Sequence, residues 1–366
     1  MRATAFLMAA GALVLSAQTP GNWGLGPFVR PDGVNPIIVP RPESVFACPM
    51  RGARVSWEAL HTFNPGAIVR DGKVFVLYRA EDDTGTMQIG MHTSRLGLAW
   101  SDDGLHFTRR PSPVLYPAGD DQKKREWEGG CEDPRVVEGP DGTYVVTYTQ
   151  WNRKITDIAI ATSKDLVTWT KHGPAFARAS GGKYLRLSHK SAGIVVRMDG
   201  DRLVAASIAG KYWMYWGEGE VHLATSTDLI LWRPVEDASG NPIVVLSRRA
   251  GHFDSSFPEV GPPPVLARDG IVVLYNGKND ATRGDPNLAA GTYAAGEALF
   301  APDDPSKLLA RTEGPVFEPE LPFEKSGQYA AGTTFTEGLV WFKGKFFLYY
   351  GCADSFVGVA VSEARK

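Results

Sequence analysis

The run Ala67-Ile68-Val69-Arg70-Asp71-Gly72-Lys73-Val74-Phe75-Val76-Leu77-Tyr78 decides the fold. Two apolar, β-branched segments flank Asp-Gly, a pair that accepts positive φ at both positions of a tight turn, so the stretch reads as a β-hairpin. The unit returns at 135–148 around Asp141-Gly142, at 193–206 around Asp199-Gly200, at 264–275 around Asp269-Gly270 and at 338–350 around Lys343-Gly344. A further strand follows each, with a related ending in three of them: Leu98-Ala99-Trp100-Ser101-Asp102-Asp103, Ile160-Ala161-Thr162-Ser163-Lys164-Asp165-Leu166 and Leu223-Ala224-Thr225-Ser226-Thr227-Asp228-Leu229. Five units at a spacing of roughly 60 to 70 residues predict an all-β chain, a five-bladed β-propeller over 64–366. In that architecture the starts of the innermost strands converge on one central pocket.

Composition agrees. Forty glycines and ten tryptophans in 366 residues suit many short strands and turns. A formal charge of −2, with no long run of lysines or arginines, argues against nucleic acid as the main partner. Met1-Arg2, an apolar run to Leu15 and Ser16-Ala17-Gln18 have the order of a secretory signal peptide, placed at 1–17. The run is too short for a membrane anchor, so the expected location is periplasmic or extracellular. Three cysteines, Cys48, Cys131 and Cys352, make no disulfide framework. The Pro- and Gly-rich segment 18–63 is expected to lie as an extended arm over the main body. Seven histidines are scattered without ligand spacing, so no metal site and no cofactor is expected.

The residues just before each hairpin are Asn64-Pro65, Glu132-Asp133-Pro134-Arg135, His189-Lys190-Ser191, Pro258-Glu259-Val260-Gly261 and Thr333-Thr334, while hairpin exits add Arg79-Ala80-Glu81 and Gly351-Cys352-Ala353-Asp354. Carboxylates, a lysine, an arginine and aromatic side chains around one pocket suit a sugar: acids serve the glycosidic oxygen and aromatic faces take its C–H surfaces.

Asn64-Pro65, Tyr78-Arg79-Ala80-Glu81, Ser94-Arg95-Leu96-Gly97, Cys131-Glu132-Asp133-Pro134-Arg135, Gly261-Pro262-Pro263-Pro264 and Tyr349-Tyr350-Gly351-Cys352-Ala353-Asp354 together resemble glycoside hydrolase family 130, from about Asn64 to the end of the chain. That family holds β-mannoside phosphorylases and β-1,2-mannosidases on five-bladed propellers. The resemblance implies that Asp133 is the catalytic acid, acting through a mannoside hydroxyl, and that Asn64, Arg79, Arg95, Lys190 and Asp354 hold the sugar. Without it, Arg79 and Arg95 read equally well as ion-pair partners between blades.

Phosphorylases of this family need cations and a histidine around phosphate. Here Tyr275-Asn276-Gly277 stands where Tyr-His-Gly is expected, and Trp216-Gly217-Glu218-Gly219-Glu220 where an arginine is expected. Glutamates repel a phosphate dianion but can take a proton from water. Glu259, with Glu218 or else Glu220, is therefore the expected base. The resulting reading is an exported, inverting hydrolase that releases mannose from β-mannosides, most of all β-1,2-linked. The alternatives are a phosphate-dependent phosphorylase of the same fold, a glycan-binding propeller without catalysis, and a five-bladed furanosidase.

Overall fold

The computed structural model describes residues 23–363; the proposed leader at 1–17 lies outside them. Nearly all of the regular structure in the described chain is strand, and no helix among the described residues is long and apolar enough to cross a membrane.

Each expected hairpin forms. In the first unit His61–Arg70 pairs antiparallel with Lys73–Glu81, which pairs with Ser94–Ser101, which pairs with Thr108–Arg109. The second unit repeats this order in Gly130–Glu138, Tyr144–Trp151, Thr156–Ser163 and Thr170–Pro174. The fourth has an interrupted first strand, Phe257–Val260 and Val265–Ala267, on Gly270–Lys278, followed by Tyr293–Phe300 and Leu308–Arg311. The fifth comprises Thr334–Phe342, Lys345–Cys352 and Phe356–Glu363.

The third unit departs from the expected register. Val196–Asp199 and Arg202–Ala205 do form a hairpin at Asp199-Gly200, but they are an insertion within the first strand. Ala192–Ile194 before it and Ser207–Ile208 after it both pair with Lys211–Trp216. The turn equivalent to Asp71-Gly72 is Ala209-Gly210, with φ of 51° and 76° beside 49° and 70° at Asp71 and Gly72. Alanine carries no turn signal, so the neighbouring Asp-Gly masks it in the sequence.

The recurring Ser-x-Asp endings fold identically. Ser163 Oγ accepts the Leu166 N–H at 2.9 Å while Asp165 Oδ1 accepts those of Val167 and Thr168, and Ser226 with Asp228 does the same for Leu229, Ile230 and Leu231. Trp169 and Trp232 each donate their indole N–H to the leucine carbonyl of that turn at 3.1 Å. The turn thus satisfies its own amides and seats an aromatic ring on the strand.

The segment before the first unit runs along the last strand. Val29 bridges Val361 and Ile38 bridges Val357, both antiparallel, so this segment takes the place of a fourth strand in the fifth unit. It also carries a hairpin absent from the sequence expectation, Val45–Cys48 with Ala53–Ser56. All three cysteines are buried and free.

First strands of neighbouring units approach closely. A Cβ on Gly66 would lie 2.4 Å from the Pro134 carbonyl oxygen, and one on Gly338 would lie 2.6 Å from that of Pro65. Only glycine permits these approaches, which bring Asn64-Pro65, Asp133-Pro134 and Glu337-Gly338 together.

Candidate functional site

Pairing in the first and second units slips between Phe63 and Pro65 and between Glu132 and Arg135. These bulges leave Asn64 and Asp133 out of the ladder, in left-handed conformations with φ of 45° and 49°. Bulges re-aim side chains, and Asn and Asp tolerate left-handed backbone better than other L residues. Ser191, Ala353 and Asp354 are also left-handed, with φ of 60°, 47° and 51°. Strain of this kind costs about 1–3 kcal/mol per residue and concentrates where a side chain must be aimed.

The aimed side chains line one cavity of about 360 Å³, which contains Asn64, Arg79, Asp133, Lys190, Glu259 and Asp354. Glu132, Glu218 and Thr333 join them, with Phe63, Trp151, Tyr293, Tyr329 and Phe335 as aromatic wall.

Two ion clusters occupy it. In the first, Arg79 donates Nη1 to Asp133 Oδ1 at 3.1 Å and Nη2 to Glu81 Oε1 at 2.7 Å, and Nη2 lies 2.9 Å from Glu132 Oε1. Asn64 Nδ2 donates to Asp133 Oδ1 at 2.8 Å, and the guanidinium carbon of Arg79 lies 4.6 Å from the centre of the Phe63 ring. Burial pushes Glu132 up to about 7, with Arg79 opposing and Asp133 and Glu81 adding to the rise. Burial also pushes on Asp133, but Arg79, Lys190 and the Asn64 hydrogen bond outweigh it and hold that carboxyl below its usual range. At neutral pH the proton of this coupled pair therefore resides mainly on Glu132. Asp354 is raised to about 6, by burial against the pull of Arg79.

In the second cluster Lys190 Nζ lies 3.2 Å from Glu218 Oε1 and 3.7 Å from Glu259 Oε1. Ser191 donates its hydroxyl to the same Glu259 oxygen, while Glu259 Oε2 is buried without a hydrogen-bond partner. Burial raises Glu259 to about 7, Lys190 opposing and Glu218 reinforcing. Asn64 Oδ1 and Thr333 Oγ1 are likewise buried and unpartnered. Each such atom costs about 1–3 kcal/mol unless something polar meets it.

Two expected site residues lie elsewhere. Arg95 is fully buried, with Nη1 on Asp82 Oδ2 at 2.7 Å and on the Thr93 carbonyl oxygen at 3.1 Å, and it is not part of the cavity wall. Register explains this: Arg95 stands opposite Ala80, so it shares the sheet face of Ala80 and not that of Arg79. Glu220 is exposed and also outside the wall. Gly217 and Gly219 adopt φ of 121° and 95°, which turns the chain and separates the two glutamates. Glu218 alone bridges Glu259.

Asn276, set against an expected histidine, does not reach the cavity. Its side chain accepts the Thr336 N–H at 2.8 Å and donates to the Thr336 carbonyl at 3.0 Å, fastening the fourth unit to the fifth. Aromatic side chains were expected here, but which ones, and a part for Glu132, are what sequence reasoning missed, although Trp151, Tyr293 and Phe335 all stand at or next to strand ends. The histidines, scattered in sequence, also gather: His61 and His92 come together with Glu81.

The sequence profile of the family described as beta-1,4-mannooligosaccharide phosphorylase matches residues 34–366. The chain belongs to glycoside hydrolase family 130. A solved structure described as a family 130 glycoside hydrolase that targets beta-1,2 mannosidic linkages in Candida mannan is 52% identical, with 96% of this chain and 98% of that one covered and a TM-score of 0.94. A glycosyl hydrolase of Bacteroides ovatus is 49% identical over 96% of this chain and 97% of its own, with a TM-score of 0.93. Among curated relatives, a 1,2-beta-oligomannan phosphorylase of Thermoanaerobacter sp. is 30% identical over 334 residues, 90% of this chain and 95% of its own length. Membership makes this chain an enzyme of the glycosidase or phosphorylase type.

Proposed function

We propose that this family 130 enzyme is an exported, inverting glycoside hydrolase that releases mannose from β-mannosides, most of all β-1,2-linked ones, on a five-bladed β-propeller. One observation carries the choice of water over phosphate: Glu259, backed by Glu218, shares the cavity with Asp133 but is bound to a different cation and keeps one oxygen unpartnered. A carboxylate with a spare lone pair can take a proton from water. The same two carboxylates around one lysine oppose entry of a phosphate dianion, which needs an excess of donors and positive charge.

Asn64, Arg79, Lys190 and Asp354 hold the sugar in this reading, and the aromatic wall takes its C–H faces. Asp133, paired with the proton-holding Glu132, serves the leaving group. Five hairpin units, close approaches between their first strands and an N-terminal segment on the last strand support the propeller. Export rests on the order of charged, apolar and small residues at 1–17.

Phosphorolysis is the second reading. It is favoured by the names of four curated relatives, which are phosphorylases acting on β-1,2- or β-1,4-linked mannosides. The deciding experiment incubates the enzyme with β-1,2-mannobiose with and without phosphate and follows the anomeric product by NMR. Phosphate-independent release of α-mannose is expected; turnover that requires phosphate and yields mannose 1-phosphate would establish the second reading.

A further inference from the structure

His61 opens the first strand of the first unit and stands opposite Glu81, the last residue of the second strand. Glu81 in turn stands opposite Ser94, two residues beyond His92. This register draws together three residues with no ligand spacing in the sequence. One donor atom from each of His61, Glu81 and His92 lies within 4.8 Å of the other two.

His92 supplies the independent sign. Its residue is only 3% exposed and its Nδ1 is buried without a hydrogen-bond partner. Leaving a buried imidazole nitrogen unmatched costs about 1–3 kcal/mol, a penalty that a cation held by that nitrogen would remove. The other two side chains are oriented from behind, as ligands to a metal usually are. His61 Nδ1 lies 3.0 Å from Ser355 Oγ, which fixes the ring and leaves Nε2 for coordination. Glu81 Oε1 accepts from Arg79 at 2.7 Å, and Oε2 accepts from Gln328 Nε2 at 3.2 Å.

We propose that His61, Glu81 and His92 form a binding site for a divalent transition-metal ion, Zn²⁺ being the best match to two imidazoles and one carboxylate. Nitrogen and oxygen donors of this kind disfavour Mg²⁺ and Ca²⁺. Three protein ligands leave a fourth position open, in the manner of zinc sites that are not purely structural. Zinc ligands at about 2.0–2.1 Å stand roughly 3.4 Å apart in a tetrahedron, so the cluster must close by about 1.4 Å at its widest. His61 is only half-buried, and a change in its side-chain torsion can supply that movement. The Arg79 guanidinium is the nearest opposing charge. It occupies Oε1 of Glu81, and the ion would take Oε2 by displacing the long contact from Gln328.

The test is isothermal titration of ZnCl₂ into the full, tag-free chain after chelator treatment, with H61Q, H92Q and H252Q alongside. His252 is a control, paired with Glu313 away from the cluster. One saturable site is expected, weakened at least about tenfold in H61Q and in H92Q and unchanged in H252Q. Co²⁺ should give the intense visible absorption of a four-coordinate centre in the parent and lose it in both variants. Should H92Q fail to fold by circular dichroism, H61Q, at a half-buried position, carries the same test. Absence of saturable binding, or equal affinity in parent and H61Q, overturns the proposal. None of these readouts depends on turnover, so they stand apart from the choice between water and phosphate.

Discussion

The Arg79 and Lys190 clusters meet in one cavity and are built on different terms. Around Arg79 three buried carboxylates, from Glu81, Glu132 and Asp133, share one guanidinium, each of whose three nitrogens meets at least one neighbour. Around Lys190 two carboxylates share one ammonium, and one oxygen of Glu259 has nothing to hold. Both have more acid than base, so both retain a proton near neutrality, on Glu132 in one and on Glu259 in the other, each raised to about 7 mainly by burial. The first is a fixed frame that can grip a sugar and keep a proton beside Asp133. The second is a poised group with a free lone pair. Arginine, with its rigid planar fork, suits the frame, and the compact, rotatable ammonium of lysine suits the poised side.

The comparison breaks first at Asp133. Asp133→Asn keeps the hydrogen bond from Arg79 and the tolerance for left-handed backbone, so the frame should survive while the carboxylate that passes the Glu132 proton to the leaving group is lost. Turnover of β-1,2-mannobiose should fall by about 10³-fold or more, with KM little changed, since general acid catalysis is worth roughly 10²–10⁴. Steady-state kinetics decides it; turnover within a factor of two of the parent removes Asp133 as the acid.

Glu259→Gln probes the poised side. A loss of about 10²–10³ in kcat is expected, with Glu218→Gln losing less because Glu218 is partly exposed and acts through Lys190. Equal losses in both variants would make them a joint base. A larger loss in Glu218→Gln would exchange their roles.

The pH profile sharpens the same contrast. Glu259 must be ionised to take a proton, so kcat/KM should rise with pH through about 7. Glu132 must keep its proton for the frame to deliver one, so the profile should fall again as pH passes about 7. The expected result is a narrow bell with its maximum near neutrality. In Glu259→Gln the rising limb should vanish while the falling limb stays; a rising limb that persists would assign it to another group.

How far the sequence went follows from what a repeat can and cannot specify. Alternating apolar runs around Asp-Gly turns show where hairpins are, and the repeat shows that positions such as Asn64, Asp133, Lys190, Glu259 and Asp354 stand at equivalent mouths, so their meeting was legible. Direction was not. Arg79 and Arg95 both read as arginines at strand ends, yet the pairing of Arg95 with Ala80 turns it to the other face, a fact of register that a single strand does not carry. The inserted hairpin at Asp199-Gly200 was misplaced for the same reason, since its turn is the stronger signal and the true counterpart, Ala209-Gly210, is chemically plain. The gathering of His61, Glu81 and His92 also depends on register across three strands.

Arg95 turns that error into a measurement. Arg95→Met removes one partner of a buried pair whose members are 1% and 0% exposed in their side chains, which leaves Asp82 charged and unmatched. The expected loss is about 3–5 kcal/mol of stability by denaturant unfolding, with kcat/KM of the folded fraction unchanged. A residue that gripped the sugar would instead raise KM while stability held.

The smallest effect belongs to Glu220, and it is informative because Glu218 is its neighbour but one. Both are glutamates in the same Gly-rich turn, and both met the sequence criterion for a group beside the base. They differ in where the positive φ of Gly217 and Gly219 sends them, Glu218 onto Lys190 and Glu220 into solvent. An exposed carboxylate that lines no cavity exerts only a screened field on the reacting groups. Glu220→Gln should therefore change stability by less than about 0.5 kcal/mol and leave kcat/KM and the pH profile those of the parent. A tenfold fall in kcat there would mean that the turn closes over the sugar and brings the second glutamate in. The division of labour would then run through the mobility of 217–220 and not through the fixed contacts of Lys190.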